Sequence, residues 1–452
     1  MKPLRFLEGP YLRDLLVQAE VARAAAGGLR DSAEPERLRE LAEAAKGPVV
    51  LTGMGSSLYA LHPLRVALGR AGRLVLLVET SELLLYAPQA LAGSLLVVVS
   101  QSGRSAEIVR LVEARPERCS LIAVTNTPGS PLAEAADLCL WMRAGEEFSV
   151  ASRTYLASLV VVAWLGELLC GASGEEALKA IETAVPWMYD YLSRWQDHAS
   201  SLAARLDGVR HLFLAGRGAS LAAALTGGLI LKEAAHFAAE GMTSAAFRHG
   251  PLEMIGPETL VLVFSGSGAV RPANLRLVCD IRSLGGRAEV IGEEAELDAL
   301  RLPPVADAAR PLLEILPIQM LTLALPPLPG ARPAASSAPP RSPPSSDVLP
   351  GERAGARRLV RVRQIERLAV LAAVDFRLRS VLAAHLLAEE IPPFQVACAN
   401  LALVVLLVAG ALAHQTDLDL CAVAQRVHVL GIGSRRGDGF RTRFGHNRSS
   451  TV

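Results

Sequence analysis

One stretch of this chain repeats another. Gly53-Met54-Gly55-Ser56-Ser57 has its counterpart in Gly216-Arg217-Gly218-Ala219-Ser220, and VVVSQSG (97–103) has its counterpart in LVFSGSG (262–268), at nearly the same separations. Two copies of one supersecondary unit are the simplest account, and they tie the second half of the fold to the first. The unit itself is read from short apolar runs. VVLTG (49–53), LVLLVE (74–79), LLVVVS (95–100), LIAVTN (121–126) and LCLWM (138–142) carry no internal alternation, as strands buried on both faces do. Helical stretches at 57–70 and 105–114 fall between them. After two long helical segments, about 152–172 and 177–206, the pattern restarts with HLFLAG (211–216), a helix to about 237, LVLVFSG (260–266), a helix at 272–284 and AEVIG (288–292). A helix over 305–325 closes the second copy, with Pro311 and Pro317 predicting a kink or a late start. Strands alternating with helices at this spacing specify an α/β fold of parallel sheets flanked by helices.

The predicted organisation is a helical, amphipathic segment 1–47, a first α/β unit with its connecting helices at 48–206, and a second at 207–325. Beyond that the composition changes. Residues 326–350 hold nine prolines, a linker composition that cannot pack a core. Residues 331–452 carry 16 Arg against 9 Asp and Glu, a net of +7, while 1–330 has a net of −6, so the total of +1 averages two unlike polypeptides. The last of four lysines is Lys232. The tail 351–452 reads as basic and apolar, either disordered or the product of a frame-shifted or read-through GC-rich gene. Its run 396–413 has 18 residues without a charge, interrupted by Asn400. An apolar helix or unstructured tail is the ordinary reading of that run and a membrane span the other; the alternative to a frame-shift is a genuine fused tail, basic enough to touch anionic lipid or nucleic acid.

A net charge near zero argues against a dedicated nucleic-acid binder. The six cysteines (119, 139, 170, 279, 398, 421) form no close pair and no zinc-ligand spacing, which points to a reducing, cytoplasmic setting. The N-terminal MKPLRFLEGPYLRDLL lacks the apolar run of a signal peptide.

Chemistry concentrates in Ser100-Gln101-Ser102-Gly103-Arg104-Ser105, between a buried strand and a helix. Hydroxyls, an amide and backbone N–H groups gather there at the positive end of a helix dipole, a phosphate cradle without a lysine. Ser56 and Ser57 follow the first strand in the same way. Both loops fall outside the carboxyl ends of strands, where such sheets bind ligands. One such loop alone is commonly an N-cap; two in one unit favour a phosphate site. The rival is a dinucleotide fold. It fails because neither Gly53/Gly55 nor Gly216/Gly218 is completed to GxGxxG.

Taken together, GMGSS, SQSGRSAE, AVTNTPGSPLAEAAD and AGEEFSVAS in the first copy, then GRGAS, ILKEAAHFAAE and FRHGP in the second, resemble the double sugar-isomerase (SIS) domain proteins over about residues 1–325. That family includes the isomerase half of glucosamine-6-phosphate synthase and amino-sugar-phosphate deaminases. The resemblance implies two flavodoxin-like subdomains, a homodimer with shared sites, a bound hexose phosphate, and no metal or other cofactor. It implies phosphate contacts from Ser56, Ser57, Ser100, Gln101, Ser102 and Ser105, with Glu147 near the sugar and Val150 in a substrate loop. Glu233 corresponds to the base that moves a proton between C1 and C2. His249 corresponds to a ring-opening histidine that reaches the neighbouring subunit's site. Carboxylate and imidazole suit those tasks independently, since aldose–ketose exchange needs a proton shuttle and a ring opener. A solvated helix glutamate and a loop-capping histidine are the bland alternatives for the same two residues.

Several positions depart from the family pattern. Thr226 stands where an acid is expected, Ile230 where a lysine is, and Ala246 where a glutamate is frequent. Nothing after Lys232 can supply the sugar-contacting lysine of the synthases' C-terminal arm. No cysteine precedes Cys119 to serve a glutaminase half, so glutamine-dependent synthesis is not expected of this chain. The expectation is an aldose–ketose isomerase or amino-sugar-6-phosphate deaminase, with a catalytically weakened phosphosugar sensor as the alternative.

Overall fold

The computed structural model describes residues 9–31, 34–148 and 150–325. The linker 326–350 and the tail 351–452, including the apolar run 396–413, lie outside the described residues. Three helices come first: α1 (Pro10–Leu16), α2 (Gln18–Arg30) and α3 (Pro35–Ala44). The first unit then runs β1 (Val49–Gly53), α4 (Ser56–Tyr59), α5 (His62–Arg70), β2 (Val75–Glu79), α6 (Thr80–Tyr86), β3 (Leu95–Val99), α7 (Ala106–Ala114), β4 (Ser120–Thr125), α8 (Pro131–Ala135) and β5 (Leu138–Trp141). All pairings are parallel, in the order β2-β1-β3-β4-β5. This is the doubly wound order in which the chain reverses direction across the sheet between β1 and β3.

Helices α9 (Arg153–Leu169), α10 (Glu175–Ser193) and α11 (Trp195–Arg205) lead to the second unit. There β6 (His211–Gly216), α12 (Leu221–Ala235), β7 (Ala239–Thr243), α13 (Ser244–Phe247), β8 (Thr259–Phe264), α14 (Arg271–Ser283), β9 (Arg287–Ile291) and α15 (Arg310–Ala324) follow. The parallel order β7-β6-β8-β9 repeats the first four places of the other sheet. The repeat in the sequence is therefore a repeat of topology.

Three expectations need correction. The segment 177–206 is two helices, broken at Arg194 (φ −99, ψ 20). The stretch 57–70 is likewise split, with α4 ending at Tyr59. Strand β7, AEGMT, was not anticipated, because only Ala239 in it is buried and its small and polar residues give no apolar run. The proline expectation resolves as a late start: Pro311 sits in the first turn of α15, and Pro317 lies within the helix.

The largest core joins the two units. Helix α9 is buried on nearly every face, and α15 is buried along its whole length. Buried side-chain hydrogen bonds bring the N-terminal helices onto α15: Tyr11 to Thr322 at 3.0 Å and Gln18 to Gln319 at 2.7 Å. Such bonds satisfy polar groups that would otherwise be costly to bury.

Candidate functional site

The two serine loops meet at the carboxyl ends of β1 and β3, the position where a sheet of this order leaves a crevice. Gly53 ends β1 where a β carbon would stand 2.9 Å from the Val99 carbonyl oxygen and 3.0 Å from the Leu58 nitrogen. Only a bare backbone lets the strand turn so tightly into α4. Gly103 takes φ 58, the left-handed region that glycine enters without strain. Its N–H donates to the Ser100 hydroxyl at 3.2 Å, and the Arg104 N–H donates to Ser102 at 3.3 Å. The Gln101 carbonyl accepts from the Asn126 N–H (3.1 Å), the Thr125 hydroxyl (3.2 Å) and the Thr127 hydroxyl (3.1 Å), so the end of β4 holds the loop in shape.

A cavity of about 140 Å³ results. Ser56, Ser57, Ser100, Gln101, Ser102, Ser105 and Glu147 all line it. Ser105 occupies the N-cap of α7 without its hydroxyl capping the helix. Polar groups converge there at the positive end of a helix, an arrangement suited to an anion. The volume suits a head group more than a whole sugar phosphate, given ligand pockets of about 300–1,000 Å³.

Glu147 does more than face the cavity. Its carboxylate accepts from the Ser152 N–H at 2.8 Å, the Thr154 N–H at 3.1 Å and the Thr154 hydroxyl at 2.6 Å, capping the start of α9. Burial raises its pKa, and these hydrogen bonds offset only part of that rise. Val150 packs against the core and does not line the cavity. Glu233, on the last turn of α12, and His249, after α13, are exposed and do not line it either. Leu229, one turn before Glu233, would touch a β carbon at Gly55 at 3.6 Å, so that face of α12 borders the first serine loop. The Glu233 carboxylate also lies near Tyr11: burial holds that phenol above its usual range, and Glu233 adds to the effect. The loop carrying His249 is fastened by an Arg248–Asp280 ion pair at 2.6 Å.

Thr154, Tyr155 and Ser158 complete the wall and were not anticipated. The signal was present as hydroxyls at spacings of one and four residues on the first turns of an otherwise apolar helix. Tyr155 leads further inward. Burial raises its phenol, and the neighbours that act on it are Thr226 and Glu314. Glu314 accepts from the Ser220 hydroxyl at 2.7 Å. Burial pushes its carboxyl up to about 7, against smaller downward pulls from Ser220 and Arg310. Among the described residues, no group of three or more His, Cys, Asp or Glu converges as metal ligands would. No described helix is long and apolar enough to cross a membrane.

Glu314 carries a pH prediction. Its folded pKa stands above the unfolded value of about 4.3, so its contribution is complete below that value and is lost as pH rises through about 7. Relative to Glu314→Gln, the native protein should lose on the order of 3 kcal/mol between pH 4 and pH 8. Urea unfolding of both proteins across that range measures the gap; a gap independent of pH would sink the assignment.

Comparison with known proteins places these features. Residues 44–166 and 206–295 match the SIS domain. The glutamine–fructose-6-phosphate aminotransferase (isomerizing) of Pyrococcus horikoshii is 29% identical over 296 residues, covering 63% of this chain and 50% of that protein. The chain thus spans about half the length of the curated relatives it matches. The C-terminal domain of glucosamine-fructose-6-phosphate aminotransferase from Francisella tularensis superposes with a TM-score of 0.63 at 20% identity, covering 70% of this chain and 96% of that one. Glucosamine-6-phosphate deaminase from Thermotoga maritima gives 0.56 at 18%, covering 70% and 93%. Both parallel-sheet units therefore have their counterpart in solved structures.

Proposed function

For a chain that carries the SIS domain in two segments, we propose an enzyme that holds a hexose 6-phosphate by its phosphate in the serine cavity and moves a proton between C1 and C2. The observation that carries this is the convergence of six hydroxyl and amide side chains from two strand ends on one cavity. Homology to the isomerizing aminotransferases supports the substrate class. The cavity takes the phosphate, and the sugar extends from its mouth past the α12 face that carries Glu233. In an aldose–ketose exchange that carboxylate accepts the C2 proton of the open-chain aldose and returns it to C1 of the enediol, while a proton passes from O2 to O1. Ring opening falls to His249 of the partner subunit in a homodimer, as the resemblance to the double SIS proteins implies. A cytoplasmic setting goes with this reading, and the described cysteines 119, 139, 170 and 279 are free thiols.

The test incubates the full chain with glucosamine 6-phosphate and with fructose 6-phosphate in D2O, following deuterium at C1 and C2 and release of ammonia. Exchange without ammonia identifies an isomerase; ammonia identifies a deaminase. Ser102→Ala should weaken phosphosugar binding about 10-fold, as expected for one hydrogen bond to a charged group. Binding unchanged in Ser102→Ala and in Ser57→Ala would remove the phosphate from this cavity. A second reading, a sensor that binds without turnover, is favoured by Thr226, Ile230 and Ala246 at positions where family acids and a lysine are expected. Tight binding with no exchange selects it.

A further inference from the structure

The second unit keeps the backbone of the cradle and changes its chemistry. Gly218 (φ 61) and Gly268 (φ 54) repeat the positive φ of Gly55 (φ 54) and Gly103 (φ 58). Ser220, Ser265 and Ser267 stand in the repeat where Ser57, Ser100 and Ser102 stand in the first copy, and Arg217 replaces Met54. A cavity of about 410 Å³ opens at these loops, bounded by α5, α9 and the start of α15. It shares no lining residue with the serine cavity.

Arg310 is the observation that asks for a ligand. It lines this cavity and is 4% exposed. Its Nη2 donates to Glu293 at 3.3 Å and to the Val305 carbonyl at 3.1 Å. Nε lies 3.9 Å from Asp307 and the guanidinium also acts on the Glu314 carboxyl, but among the described residues neither Nε nor Nη1 has a hydrogen-bond acceptor. A buried guanidinium donor left unmatched is costly, so an acceptor belongs beside it. Arg217 lines the same cavity, its Nε donating to Asn274 at 3.2 Å. Leu64, Val66, Ala67, Val162 and Ala163 form an apolar wall. Glu167, Glu176 and Asp307 also line it, Asp307 lying 3.6 Å from Arg70 as well as beside Arg310.

We propose that this cavity is a second binding site, taking a phosphate monoester with an apolar body. The phosphate accepts from Arg310 and Arg217, and the body lies along α5 and α9. The inference does not depend on what the serine cavity binds.

Phenyl phosphate is the probe, titrated calorimetrically into the full chain. In Ser57→Ala/Ser102→Ala, where the first cavity is impaired, one equivalent per chain should still bind. Adding Arg217→Ala should weaken that binding at least 10-fold, with Arg217→Lys recovering part of it. Adding Ala163→Trp, which fills the cavity from α9, should abolish it. Circular dichroism melting of the Arg217→Ala protein, expected to match its parent, separates lost binding from lost fold. No binding to the serine-impaired protein, or binding indifferent to both Arg217→Ala and Ala163→Trp, overturns the proposal. Should the first cavity bind no phosphate at all, the wild type and the serine-impaired protein will titrate alike, which marks failure of that reading separately.

Discussion

Glu233→Gln leaves fructose 6-phosphate bound with little change and slows deuterium exchange at C1 and C2 by about 10²- to 10⁴-fold, the range a positioned general base supplies. Glu233 follows Leu229 by one turn of α12, and Leu229 borders Gly55 in the first serine loop. A ligand fixed by its phosphate in the cavity and too long for about 140 Å³ must extend outward, and this face of α12 is at hand. The exchange of one oxygen for an amide nitrogen keeps the shape of the side chain while removing its basicity. Because Glu233 also lies near buried Tyr11, thermal melts of both proteins separate lost exchange from lost fold. NMR of substrate protons in D2O reads the rate, and calorimetry reads the binding. Exchange that persists at the native rate would remove Glu233 from the mechanism and send the search for a base to another residue at the mouth.

What the sequence made legible follows burial. Strands β3, β4 and β8 are enclosed on both faces, and their residues form near-continuous apolar runs that stand out from any surroundings. Strand β7 lies at the sheet edge and is half-exposed, so AEGMT resembles a loop. The break at Arg194 has no glycine or proline to announce it, whereas Pro186 sits inside α10 without ending it. The serine loops were readable because two hydroxyl clusters after apolar strands in one unit exceed what N-capping alone asks for. Thr154, Tyr155 and Ser158 were not, because an apolar helix conceals which of its turns faces a cavity. Glu147 was placed near the ligand by resemblance, but its capping of α9 depends on backbone N–H groups that only the fold brings within 2.8 and 3.1 Å. The cavity beside Arg217 gives no signal in the sequence, since much of its wall comes from α5 and α9, far from Arg217 along the chain.

The strand that was hardest to read also carries a large expected effect on stability. Gly241→Ala should lower stability by about 1–3 kcal/mol, the cost of overpacking a close-packed interior, and should reduce exchange activity with it. A β carbon at Gly241 would stand on the Ala224 carbonyl oxygen and 2.7 Å from the Leu225 Cα. In the other direction, a β carbon at Gly228 would lie 2.6 Å from the Gly241 nitrogen. Helix backbone thus rests on strand backbone, with no flexible side chain between them to give way. Gly227 and Gly228 each cost roughly 1 kcal/mol against alanine inside a helix. That cost is tolerated because a β carbon at Gly227 would stand 2.8 Å from Leu214 and 3.0 Å from Ile318, while Gly228 meets β7. Pushing α12 off β7 displaces Thr226, Leu229 and Glu233 together, so fold and site fail through one movement. Gly69→Ala, in a helix with open space around its would-be β carbon, is the control and should be neutral or stabilising by about 0.5–1 kcal/mol. Thermal melts of the three proteins decide it. If Gly241→Ala melts with the wild type, the backbones are not in contact, and α12 must owe its position to α15 instead.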